Sequence, residues 1–153
     1  MTGEEKLNEF VQAIETWIDS KYVHTTKARE EPIQALSFTK DRMQALTSDE
    51  CACYAYELYA YAEYIETLRT KENAILEWAD SSIWYIISTV MHNYGTQYTK
   101  WQEKYYSAIK ENPLAAEILK VKNHAEARVK MLSGKADRLQ NMANILTNLS
   151  RRR

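Results

Sequence analysis

From Asp49 to Tyr94 the chain runs for 46 residues without a glycine or a proline. These two residues supply most sharp backbone turns, so the stretch has little means of folding back on itself as hairpins. Elsewhere the supply is scarcely better, with three Gly and two Pro in 153 residues. A sheet fold of this size needs a turn about every ten residues. The chain therefore reads as all-α. Apolar residues at 45% and charged residues at 27%, with a mean hydropathy of -0.56, suit a soluble globular chain rather than a disordered or membrane one. The length fits a single helical domain over 1–153.

Apolar residues recur at helical spacing along nearly the whole chain. Leu7, Phe10, Val11, Ile14, Trp17 and Ile18 mark a first amphipathic helix near 4–20. Lys21 to Glu31 has no periodicity and reads as a connector. Pro32 suits the first turn of a second helix near 32–46, and these elements make up an N-terminal part, 1–48. Thr47 with Glu50 forms a capping box, which opens the long helix 49–94. At 1.5 Å per residue that helix would span roughly 69 Å, against a radius of gyration of about 15 Å for a compact chain of this size. Either it breaks, with Ser81-Ser82 the candidate place, or the molecule is elongated and buries the projecting flank in a second subunit. Cys51, Ala55, Leu58, Ala62 and Ile65, then Leu76, Ala79, Ile83, Ile86 and Val90, follow coiled-coil heptad spacing. Gly95 can end the helix. A helix near 97–110 follows, then Asn112-Pro113 starts a last one towards Leu149, with a possible break at Ser133-Gly134. The expected architecture is an elongated helical bundle with one very long central helix, forming a homo-oligomer.

Charge is uneven along the chain. Residues 1–95 hold 16 acidic and 8 basic side chains, whereas 96–153 hold 5 and 12. A basic end of this kind points to nucleic acid or a membrane surface, and equally permits subunits to meet basic end to acidic end. Ser81–Thr99 carries no formal charge over 19 residues, the length of a membrane span, but its polar content suits a buried helix end better. No membrane contact is expected, and without a signal-peptide pattern the expected location is cytoplasmic. Cys51 and Cys53 point to different helix faces and read as reduced thiols.

No catalytic signature stands out. Glu63/Glu66 and Glu72/Glu77 lack the Glu-x-x-His pattern of di-iron bundles, and His24, His92 and His124 are scattered. Catalytic residues, metal ligands and cofactors are all read as none. Five tyrosines, Tyr54, Tyr56, Tyr59, Tyr61 and Tyr64, point all round one helix and suit a core plus an interface. By contrast, Tyr98, Lys100, Trp101, Lys104 and Tyr105 combine rings with ammonium groups, which suits either unpaired bases and phosphates or an amphipathic helix that packs its rings inward while the lysines reach back to solvent. Lys120, His124, Arg128, Lys135 and Arg138 make one basic stripe if the last helix is continuous, and Arg151, Arg152 and Arg153 extend it as a flexible tail; this suits a phosphate-tracking surface, or equally solvated cations that favour the dipole at a helix C-terminus.

At Lys104-Tyr105-Tyr106-Ser107 the chain resembles the UvsY-type recombination mediators of tailed phages, whose members share a Tyr-Tyr-Ser element followed by a helical C-terminal region. That resemblance implies ring-like homo-oligomers that bind single-stranded DNA in the host cytoplasm and assist a recombinase. The expected function is a non-enzymatic, single-stranded nucleic-acid-binding accessory protein. The alternative is a structural or inhibitory protein-binding module that acts through the tyrosine-rich helix.

Overall fold

A computed structural model describes residues 3–21, 30–96 and 99–153, so His24, Tyr98 and most of the expected connector lie outside the described residues. The elements are α1 (Gly3–Lys21), α2 (Ile33–Leu36), α3 (Lys40–Ala45), α4 (Ser48–Ile87), a single 3-10 turn (Met91–Asn93), α5 (Trp101–Glu111) and α6 (Pro113–Arg152). Among the described residues there is no strand. The fold is all-α.

Two expected helix starts have the predicted chemistry. The Thr47 N–H donates to Glu50 Oε1 and the Glu50 N–H to Thr47 Oγ1, both at 3.2 Å, so two of the donors at the head of α4 are satisfied reciprocally. The hydrogen bond from the Thr47 backbone holds the Glu50 carboxyl below its ordinary pKa. Asn112 Oδ1 accepts the Ala115 N–H at 3.0 Å ahead of Pro113. The helix expected over 32–46 is instead two short ones. Ser37 ends α2 with its N–H shared between the Ile33 and Gln34 carbonyls, and Thr39 Oγ1 caps the Arg42 N–H to restart the chain as α3. The Ser37 hydroxyl also donates to the Gln34 carbonyl, at 3.0 Å, so both hydroxyl side chains bond backbone groups where the helix is interrupted.

The candidate breaks at Ser81-Ser82 and Ser133-Gly134 are both helical. α4 stops at Ile87 rather than near 94, because Ser88, Thr89 and Val90 lead into an i→i+3 turn. Gly95 has φ +83 and serves the loop after that turn, not the end of α4. Nor is the C-terminus a free tail, since α6 continues to Arg152.

The chain packs as two compact units: unit 1 is 1–22 with 71–129, and unit 2 is 23–70 with 130–153. α4 and α6 supply residues to both. In unit 2, Cys51, Ala55, Leu58, Ala62 and Ile65 of α4 bury against Ala136, Leu139, Ala143 and Leu146 of α6, with Ala35 and Leu46 closing the cluster. Cys53 is exposed, and both thiols are free. In unit 1 the core gathers Leu7, Ala79, Ile83, Ile87, Tyr105, Ala108, Ile109, Ala115 and Ile118. The five positions picked out by spacing in unit 2 are all buried, whereas the stripe drifts from the expected positions in unit 1. There Ile75, Ala79, Ile83 and Ile87 are buried, and Val90 is exposed. An α-helix has 3.6 residues per turn, so without supercoiling the buried stripe slips off a 3.5-residue repeat. Of the five tyrosines, Tyr61 is buried, Tyr54 and Tyr64 pack on the core of unit 2, and Tyr56 and Tyr59 are exposed.

A polar clasp closes unit 2. Ser48 Oγ donates to the Ser150 carbonyl at 2.9 Å, and Ser150 Oγ to the Ser48 carbonyl at 3.0 Å. The Arg153 guanidinium donates to the Leu46 carbonyl and, at 2.6 Å, to that of Gln44. It thereby satisfies carbonyls at the end of α3. Arg153→Ala is expected to lower the stability of the chain by about 1 kcal/mol, read as a fall in the urea midpoint, whereas Arg151→Ala leaves the midpoint unchanged.

Candidate nucleic-acid interface

The lengthwise charge imbalance is largely folded away. Counted by unit, the sequence places 12 acidic and 9 basic side chains in unit 1, and 9 and 11 in unit 2. Three ion pairs join a cation of the basic half to a carboxylate of the acidic half: Lys122–Asp80 at 2.7 Å, Arg128–Glu72 at 2.9 Å and Lys135–Glu31 at 3.1 Å. Lys120 pairs with Glu117, one turn away on α6, at 3.1 Å. Lys120, Arg128 and Lys135 were expected as phosphate-facing groups, and each has a carboxylate beside it. Lys135 also lies 5.4 Å from the Tyr61 ring centroid, and its hydrogen bond to Glu31 holds its pKa above the usual lysine value. Arg153, as described, is engaged with backbone carbonyls. Charge excess along the sequence missed these pairings because complementary residues lie 42 to 104 positions apart.

What remains outward differs by unit. In unit 2, Arg138, Arg151 and Arg152 are exposed and meet no carboxylate among the described residues. In unit 1, Lys100 and Trp101 are exposed at the head of α5, with Lys104 half-buried one turn on. The Trp101 ring stacks on Tyr105 at 5.2 Å and 16°, and leans on Trp84 at 5.2 Å. Trp101 keeps 51% of its surface open, whereas Tyr105 is only 4% exposed. Tyr105 therefore supports the platform and offers no face to a base, as the inward-packing reading of this helix expects and contrary to its place among the nucleic-acid-binding residues. Its burial raises the phenol pKa, which the charge of Lys122 only partly offsets. Burial works against the Lys122 ammonium as well, yet the Asp80 hydrogen bond and Tyr105 keep its pKa above the usual value.

Sequence reasoning also passed over an apolar groove of about 560 Å³ in unit 1, lined by Leu7, Phe10, Trp78, Tyr85, Ile86 and Leu114. Phe10 stacks on Trp78 at 5.4 Å, and Tyr85 is 86% exposed. The one signal for the groove was the uncharged run that contains Tyr85. Among the described residues no group of His, Cys, Asp and Glu could hold a metal ion, and no helix is long and apolar enough to cross a membrane.

Because Lys122 is half-buried beside Asp80, Asp80→Ala leaves a cation without its partner and is expected to cost about 1 kcal/mol. Lys122→Met should be nearly neutral by the same denaturation measurement. Comparison of the chain with protein-family models, with curated proteins and with solved structures gives no match.

Proposed function

We propose that the protein is a non-enzymatic accessory factor that binds single-stranded nucleic acid, acting as a homo-oligomer alongside a protein partner such as a recombinase. The observation that carries this reading is the set of exposed arginines on α6, Arg138, Arg151 and Arg152, which no carboxylate of the described residues neutralises. Guanidinium groups left open in this way can exchange condensed counterions for phosphates, whatever the base sequence. In unit 1, the half-open Trp101 with Lys100 and Lys104 supplies the other element that unpaired strands need: a ring face beside cations. The Lys-Tyr-Tyr-Ser resemblance falls on the same helix, α5.

The second reading, a protein-binding module, is favoured by the apolar groove of unit 1 rather than by the tyrosine-rich helix, whose Tyr54, Tyr61 and Tyr64 face the core. A chain that leaves labelled single strands unshifted even at low salt, yet forms a stable complex with another protein, would replace the first reading by this one.

Titration of a labelled oligonucleotide at several salt concentrations tests the proposal. Arg138→Ala with Arg151→Ala and Arg152→Ala is expected to weaken binding and to flatten the log–log salt slope by about 0.7 for each phosphate contact removed. Trp101→Ala should cost roughly 1–3 kcal/mol of affinity with the slope nearly unchanged, since stacking releases no counterions. Equal binding by the triple variant and the wild type at every salt concentration would overturn the proposal.

A further inference from the structure

The apolar groove of unit 1 has chemistry that the nucleic-acid reading leaves unused. It lies between α1, α4 and α6, and its volume of about 560 Å³ falls within the range of small-molecule sites, roughly 300–1,000 Å³. Ten described residues line it, whereas a specific protein interface takes about 20–30 residues from each side. Leu7 and Ile118, both buried, belong to this lining, as do Phe10 and Trp78, stacked on each other. Lys6 alone among the ten is charged. Its side chain is exposed and meets no carboxylate among the described residues. Glu9, one turn on, lines the neighbouring hollow and not the groove. Ser81 and Ser82, inside α4, add two hydroxyls to the lining. From Trp78 to Ile86 the α4 wall extends about 12 Å, at 1.5 Å per residue.

We propose that this groove binds a long-chain fatty carboxylate, with the alkyl chain along α4 and the carboxylate at Lys6 and the serine hydroxyls. Charge complementarity selects an anion, because the one charge in the lining is an ammonium. The apolar remainder selects a ligand with a single charge at its end. A nucleic-acid strand carries a charge at every phosphate, and this lining would strip those charges of water without supplying partners. A methylene chain instead leaves water along the whole α4 wall, while its head stays at the rim, where Lys6 is exposed. The proposal does not rest on the nucleic-acid reading, whose Arg138, Arg151 and Arg152 belong to unit 2.

Calorimetric titration of the full chain with sodium octanoate, decanoate and dodecanoate, each below micelle formation, tests it. Affinity should rise about fourfold for each methylene added. Lys6→Gln should weaken decanoate about threefold and leave 1-decanol unchanged, since only the ion pair is lost. Ser82→Phe, which fills the groove from α4, should abolish binding of both. Circular dichroism checks that each variant keeps its helicity, and Lys6, being exposed, can be replaced without disturbing the core. Arg138→Ala with Arg151→Ala and Arg152→Ala should bind decanoate as the wild type does. The proposal is overturned if the wild type takes up no dodecanoate, or if Lys6→Gln binds decanoate as tightly as the wild type. Undiminished binding by a folded Ser82→Phe would place the ligand elsewhere and overturn it too. A dimer mass by light scattering that Tyr85→Ser returns to that of a monomer would assign the groove to a second copy of the chain, with the same consequence.

Discussion

The pairing of α4 with α6 is the constraint on which the other contacts depend. Within unit 2 the two helices meet through alanines that alternate with larger residues, Ala55, Leu58, Ala62 and Ile65 against Ala136, Leu139, Ala143 and Leu146. Small residues let the helices approach, and the leucines and isoleucines interdigitate between them. Full burial of one such leucine or isoleucine contributes about 1.5–3 kcal/mol. No single polar contact on the surface matches that. In unit 1 the stripe of α4 turns to Ile75, Ala79, Ile83 and Ile87, and α1 and α5 complete the cover through Leu7, Tyr105 and Ile109.

That pairing also decides the electrostatics. Once the stripes face each other, the flanks of α4 and α6 lie side by side, and the acidic flank of one meets the basic flank of the other. Asp80 with Lys122 and Glu72 with Arg128 follow directly in unit 1. Lys135 meets Glu31, which precedes α2, over the ring of Tyr61 in unit 2. The more exposed pairs, Arg128 with Glu72 and Lys135 with Glu31, each add little stability, generally under about 1 kcal/mol. Their larger consequence is to divide the cations. Those on the flanks are occupied by carboxylates, while Arg138, Arg151 and Arg152 remain open to solvent.

The same division separates the aromatic residues. Tyr105 lies in the core of unit 1, covered by Trp84 and Trp101, so its ring is spent on holding Trp101 in place. A rigid ring that is half open makes a better stacking surface than a free one, because less conformational freedom is lost on binding.

Much of the architecture was legible in the sequence, because helix periodicity and capping are local. The Thr47–Glu50 box and the Asn112 cap are each set by residues three apart, and both formed as expected. The buried stripe of the first half of α4 was equally readable, since seven-residue spacing matches a helix face over a few turns. The exchange of partners between distant segments was not readable. The basic residues of 96–153 looked like a free cationic end until Asp80, Glu72 and Glu31 came beside them. Arg153 looked like a mobile tail until α3 presented its carbonyls. Tyr105 and Trp101 share a helix face, and only packing against Trp84 buried one and left the other half open. The sequence by itself determined helix content, helix starts and the absence of sheet, because these depend on interactions within a few residues. The tertiary structure alone decided which charges and rings are left for a partner, because burial and ion pairing depend on residues brought together from far along the chain.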